Sequence, residues 1–157
     1  MPLQIGDPAP DLTLVSDAKE PVSLASFRGE KPVVVLFFPL AFTSTCTEEM
    51  CTMGEDMASY EALNAQILAV SVDSPFVLER FKRETGATFP FLSDFHREAA
   101  VAFGVLREEP LGPGLRNTTD RSAFVIDRDG TIVYTWFSKN PSLLPPFDEI
   151  KEALGKL

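Results

Sequence analysis

Residues 33–51 read VVVLFFPLAFTSTCTEEMC. The apolar run from Val33 to Phe38 is rich in β-branched and aromatic side chains and stops at Pro39. Such a run predicts a central strand buried on both faces of a sheet. Beyond the proline the pattern changes period. From Cys46, apolar side chains return at Met50, Met53 and Met57, which traces one stripe of a helix. A second buried-strand pattern, ILAVSV at 67–72, follows. Strand, helix and strand, with both strands buried, predict a right-handed parallel crossover.

Outward from this unit the punctuation is clear. Asp11–Val15 and Val22–Leu24 flank a turn at 17–21 and predict an N-terminal β-hairpin. Ser74-Pro75 is a helix start, with serine as N-cap and proline in the first helical position. Val77, Leu78 and Phe81 are expected to face inward, Glu79 and Arg83 to pair, and Gly86 to end the helix. A short helix is expected over Arg97–Phe103. Ala123–Ile126 and Thr131–Phe137 flank Asp127-Arg128-Asp129-Gly130, a hairpin signal, and 146–157 reads as a closing amphipathic helix. Residues 107–120 and 138–145 resist assignment; a loop as long as the first is usually functional or mobile. The fold class is α/β, one domain over residues 1–157 with a mixed central sheet and helices on both sides.

The bulk numbers narrow the function. A chain of 157 residues buries enough surface to fold without a disulfide staple. Apolar residues make up 45% and charged residues 24%, a globular balance. Lys and Arg number 14 against 23 Asp and Glu, a net charge of −9, which disfavours nucleic acid and anionic lipid as partners. The N-terminal MPLQIGDPAPDLTLV has no basic n-region and no long apolar run, so neither signal peptide nor membrane helix is expected. The cytoplasm is then the expected location, and the Asn117-Thr118-Thr119 sequon carries little meaning there. In that compartment a close cysteine pair serves metal binding or catalysis more often than structure.

The chain has 2 cysteines and 1 histidine. Cys46, Cys51 and the distant His96 fall short of a structural zinc set, and no glycine-rich nucleotide fingerprint implies flavin or nicotinamide. No Cys-x-x-Cys is present for thioredoxin-type exchange. Thr45 and Glu48 have capping-box spacing, which predicts Thr45 as N-cap and Cys46 as the first helical residue. Unpartnered amides and the helix dipole there favour a thiolate. Glu48 and Glu49 oppose it, so a nearby cation, an arginine, is required. Cys51 lies five residues on, turned by about 140° and roughly 8.6 Å away between α-carbons on an intact helix. A disulfide needs about 4.4–6.8 Å, so the two cysteines can join only if the helix start unwinds. Read without further context, Cys46 also fits a core cysteine and Cys51 an idle surface thiol.

Pro39-x-x-x-Thr43-x-x-Cys46 resembles the active-site motif of the peroxiredoxins, thiol peroxidases on a thioredoxin-like fold. GDPAPDLTL, VVVLFFPLAFTSTC, FPFLSDF and RSAFVIDRDG occur in that family's order over nearly the whole chain. FFPLAFT is similar to the alkyl hydroperoxidase E type. A second cysteine five residues on is similar to the bacterioferritin comigratory protein type.

The resemblance implies roles. Cys46 would be the peroxidatic cysteine and Cys51 the resolving one, the latter by spacing alone. Arg121 would hold the thiolate and the peroxide oxygens, with Glu49 as its partner. Thr43 would bridge sulfur and peroxide. Pro39 would exclude water, and backbone amides near Thr45 and Cys46 would complete the pocket. Hydrogen peroxide and organic hydroperoxides would be the substrates, with Phe42 and Phe95 suggesting an apolar pocket wall. Thioredoxin or a similar dithiol would be the reductant, and the protein a monomer or homodimer. A one-cysteine peroxidase, a redox-signalling or holdase protein and a general disulfide carrier are the competing readings.

Overall fold

The computed structural model describes residues 1–157. Seven strands form one sheet: β1 (Thr13–Ser16), β2 (Pro21–Ser23), β3 (Val33–Phe37), β4 (Gln66–Ser71), β5 (Phe91–Ser93), β6 (Arg121–Ile126) and β7 (Ile132–Ser138). Their spatial order is β2-β1-β5-β4-β3-β6-β7. β3, β4 and β5 run parallel, and the remaining neighbours pair antiparallel, so the sheet is mixed. The expected crossover joins β3 to β4, and the expected hairpins are β1–β2 and β6–β7. β5 escaped the sequence reading, because a three-residue strand carries too little periodicity.

Every residue of β3 is buried, and its alternation divides the core. Val34, Leu36 and Phe38 join one apolar cluster, whereas Val33, Val35 and Phe37 join another. The first is covered by α1 (Ser44–Glu55), α2 (Met57–Ala62), α3 (Pro75–Thr85) and α5 (Phe147–Gly155), through Met50, Met53, Tyr60, Leu78, Phe81, Ile150 and Leu154. The second is closed by Ala99 of α4 (Glu98–Ala102) together with Phe103, which packs on Phe37 with ring centroids 5.1 Å apart.

Two expectations change. The helix does not run unbroken from Cys46 to Met57. It stops at Asp56, where a carboxylate accepts from the Ser59 hydroxyl at 2.7 Å and from Lys151 at 2.7 Å, and α2 follows as a separate helix from Met57. Val77 is 38% exposed, because Leu78 and Phe81 already fill the inward face of α3. The remaining α3 signals are in place: the Ser74 hydroxyl accepts from the Val77 amide at 3.3 Å, Arg83 pairs with Glu79 at 3.2 Å, and Gly86 closes the helix with φ of +72°. The long loop at 107–120 turns back on itself, with a bridge between Leu106 and Thr119 and a bond from the Arg107 amide to the Thr118 carbonyl at 2.8 Å. No helix is long and apolar enough to cross a membrane.

Candidate active site

The site lies where β3 gives way to α1. Phe38 still follows the strand, its amide donating to the Val70 carbonyl at 3.0 Å. Pro39 is buried behind it and ends the pairing, since proline offers no N–H. The chain then makes a tight turn. Phe42 has φ of +70°, a left-handed conformation rare for a bulky residue, and its exposed ring packs edge-on against Phe81 at 5.1 Å. The Thr43 hydroxyl donates to the Leu40 carbonyl at 3.1 Å.

This turn moves the helix start. α1 begins at Ser44 with Thr43 as its N-cap residue, and the first helical bond runs from the Thr47 amide to the Thr43 carbonyl at 2.9 Å. Cys46 is therefore the third helical residue rather than the first, and the Thr45–Glu48 capping box is not used. The left-handed Phe42 turns the chain early and hands the N-cap to Thr43. Cys46 remains within the first turn, where amides have no helical partner.

Cys46 is 1% exposed, yet its cover is thin: Thr43 and Thr45 are half-buried, and Ser44 is exposed. Arg121, the first residue of β6, reaches it from the sheet. Its Nη2 donates to Cys46 Sγ at 3.0 Å and its Nη1 to Glu49 Oε1 at 2.8 Å. Its Nε and Nη2 also donate to the Pro141 carbonyl at 3.3 and 2.9 Å. Arg121 is 1% exposed and Glu49 fully buried, so the guanidinium is locked between a carboxyl group, a sulfur and a backbone dipole. Burial pushes the Glu49 carboxyl up to about 7, against the charge and hydrogen bond of Arg121, which pull it down. Its second oxygen, Oε2, has no partner.

Cys51 sits elsewhere on α1. It is half-buried, its thiol donates to the Thr85 carbonyl at the end of α3 at 3.8 Å, and both cysteines are free. Cys46, Glu49 and Arg121 are joined by hydrogen bonds, while Pro39, Phe42, Thr43 and Thr45 lie on the segment that leads from β3 into the first turn of α1. Phe95 does not join them. It is 54% exposed and lines a hollow with Val15, Ser74, Pro75 and His96. The sequence reading missed the Pro141 carbonyl, a backbone acceptor that no residue type announces.

Comparison with known proteins gives the family. The AhpC/TSA family model matches residues 5–135. The chain belongs to this family. Alkyl hydroperoxide reductase E of Mycobacterium bovis is 39% identical over 132 residues, 83% of this chain and 82% of that protein. Peroxiredoxin Bcp of Escherichia coli is 33% identical over 135 residues, 86% of each chain. The crystal structure of peroxidoxin BcpB from Mycobacterium tuberculosis matches with a TM-score of 0.84 and 26% identity, covering 99% of this chain and 98% of that one. The architecture is therefore the thioredoxin-like fold of peroxiredoxins. The activity is that of a thiol peroxidase, an oxidoreductase that acts on peroxides and draws on a thiol reductant.

Proposed function

We propose that this peroxiredoxin reduces hydrogen peroxide and organic hydroperoxides through Cys46, with Cys51 as the resolving cysteine and thioredoxin or a related dithiol as reductant. The observation that carries the assignment of Cys46 is the hydrogen bond of 3.0 Å from Arg121 Nη2 to its sulfur. A buried guanidinium that donates to this sulfur also faces the charge that develops as the sulfur attacks a peroxide.

The Cys46 sulfur attacks one peroxide oxygen; an S–O bond forms and the O–O bond breaks. The departing oxygen leaves with the electron pair of the broken bond and, once protonated, becomes an alcohol or water. Arg121 faces the charge that develops on it, the Thr43 hydroxyl and the first-turn amides of α1 orient the peroxide, and Pro39 keeps water out. Sulfur 46 is oxidised by two electrons to a sulfenic acid. The Cys51 thiolate then attacks that sulfur, an S–S bond forms, and the hydroxyl departs as water. A dithiol restores both thiols by exchange. Residues 1–157 would act as a single domain, and a pair of reduced thiols on one helix suits the cytoplasm.

Cys46→Ser tests the centre of this reading. The variant should keep its circular dichroism spectrum and lose peroxide consumption; retained turnover refutes it. A second reading is favoured by the Cys51–Thr85 contact, which holds the second thiol toward α3 on an intact helix. There Cys46 would be resolved by an outside thiol. Peptide mapping after one equivalent of peroxide separates the two: an intrachain 46–51 link supports Cys51 as the resolving residue, and a persistent sulfenic acid or mixed disulfide supports the second reading.

A further inference from the structure

The connection from β3 to α1 carries Pro39 and Thr43, and its conformation decides where the Thr43 hydroxyl and the first-turn amides point. Its ends are held by the sheet: the Phe38 carbonyl accepts from the Thr119 hydroxyl at 3.1 Å. Its centre is held by a side chain from the connection between β4 and α3. The Ala41 amide donates to Asp73 Oδ2 at 2.8 Å. Asp73 lies just beyond β4, before the N-cap of α3, and takes no part in the chemistry described above. It is itself tied down. Oδ2 accepts from the Ser71 hydroxyl at 2.6 Å, the Asp73 amide donates back to that hydroxyl at 3.2 Å, and its carbonyl accepts from the Ser93 hydroxyl at 2.6 Å. Asp73 is thus anchored through its carboxylate to β4 and through its backbone carbonyl to β5, and the carboxylate grips the residue before the left-handed Phe42.

Ala41 and Asp73 are both half-buried. What a charged acceptor adds there is direction. A bulky residue with positive φ costs on the order of 1–3 kcal/mol and persists only where its surroundings over-determine it. Here the grip on Ala41 from one side and the Phe81 ring on the other supply that constraint. We propose that Asp73 is a positioning residue for peroxide reduction, fixing the Pro39–Thr43 turn so that Thr43 and the α1 amides face the peroxide at Cys46. The proposal rests on the peroxidase reading of Cys46.

The test uses the reduced full chain with Cys51→Ser, so that only Cys46 reacts, and two rates for the same sulfur. One is reaction with tert-butyl hydroperoxide, which needs the positioned turn. The other is alkylation by iodoacetamide, which needs only the nucleophile. Asp73→Ala should slow the peroxide reaction by about 10–100-fold, as misplacement of positioning groups does, and leave alkylation unchanged or faster. Asp73→Asn keeps an acceptor oxygen and should recover to within roughly threefold of the parent. Ser71→Ala, which removes one support of the carboxylate, should lose about two- to fivefold in the peroxide rate alone, and it stands in if Asp73→Ala does not fold. Unchanged peroxide rates, a parallel fall of both rates, or an Asp73→Asn as slow as Asp73→Ala would each overturn the proposal. A parent protein inert to peroxide would instead overturn the peroxidase reading, before any Asp73 variant is compared.

Discussion

Arg121 holds Cys46, Glu49 and the Pro141 carbonyl at once, which only a planar, forked cation can do. Arg121→Lys keeps the charge and loses the fork, so the rate with peroxide should fall by about 100-fold, measured by stopped-flow fluorescence or competition with a second peroxidase. Glu49 gives a second prediction. Its carboxyl is raised from an ordinary 4.5 to about 7 by burial. The contribution to stability is then fully present below the unfolded value and is lost as pH rises through the folded one. From about pH 5 to about pH 8 the melting temperature should fall more steeply in the parent than in Glu49→Gln, which carries no titrating group there. Asp94 and Asp120, also raised by burial, slope the same way in both proteins and cancel in the comparison. Parallel profiles would show that Glu49 does not titrate in this range. At this scale the sequence was informative where chemistry requires a residue type at a spacing: Arg121 bonds both Cys46 and Glu49. It was silent on Pro141, which acts through its carbonyl, and misleading at Thr45. There the local spacing of a capping box yielded to the backbone turn at Phe42.

The catalytic helix is built from weak helix formers. Thr45, Thr47, Thr52 and Gly54 all lie within α1, so burial of Cys46, Glu49, Met50 and Met53, rather than propensity, holds it. Formation of a 46–51 disulfide requires this helix to open. The double variant Thr47→Ala with Thr52→Ala should stabilise the closed helix by about 0.5–0.7 kcal/mol per site. If Cys51 resolves Cys46, disulfide formation should slow several-fold while sulfenic acid formation keeps its rate, which rapid-quench mass spectrometry reads separately. Equal disulfide rates would mean that opening of α1 does not limit the step. Elements were legible in proportion to their length and punctuation. β3, β4 and α3 carry long apolar runs or explicit caps. β5 is a three-residue strand, and the break at Asp56 depends on a lysine 95 residues away, which no local pattern contains.

Across the whole molecule the sheet order places the sulfur on one layer and its cation on another. The crossover and hairpins were readable from periodicity. Which strand ends beside the cysteine was not, because the antiparallel pairing of β3 with β6 joins residues 85 to 93 positions apart, as in Phe37 with Ser122 and Val33 with Ile126. This layering makes a prediction that runs against the usual effect of a disulfide. Linking Cys46 to Cys51 closes a short loop and gains little entropy. It also pulls Cys46 and Met50 from the principal core, where each is almost fully buried. The oxidised protein should melt several degrees below the reduced one by calorimetry; a higher melting temperature would mean that α1 opens without unpacking. The sharing of one helix by Cys46 and Glu49 has a further result. If Cys51 resolves Cys46, unwinding should carry both away from Arg121 together and leave the guanidinium with only the Pro141 carbonyl. The disulfide form would then be electrostatically loaded and would recoil toward the starting conformation once a reductant cuts the sulfur bridge.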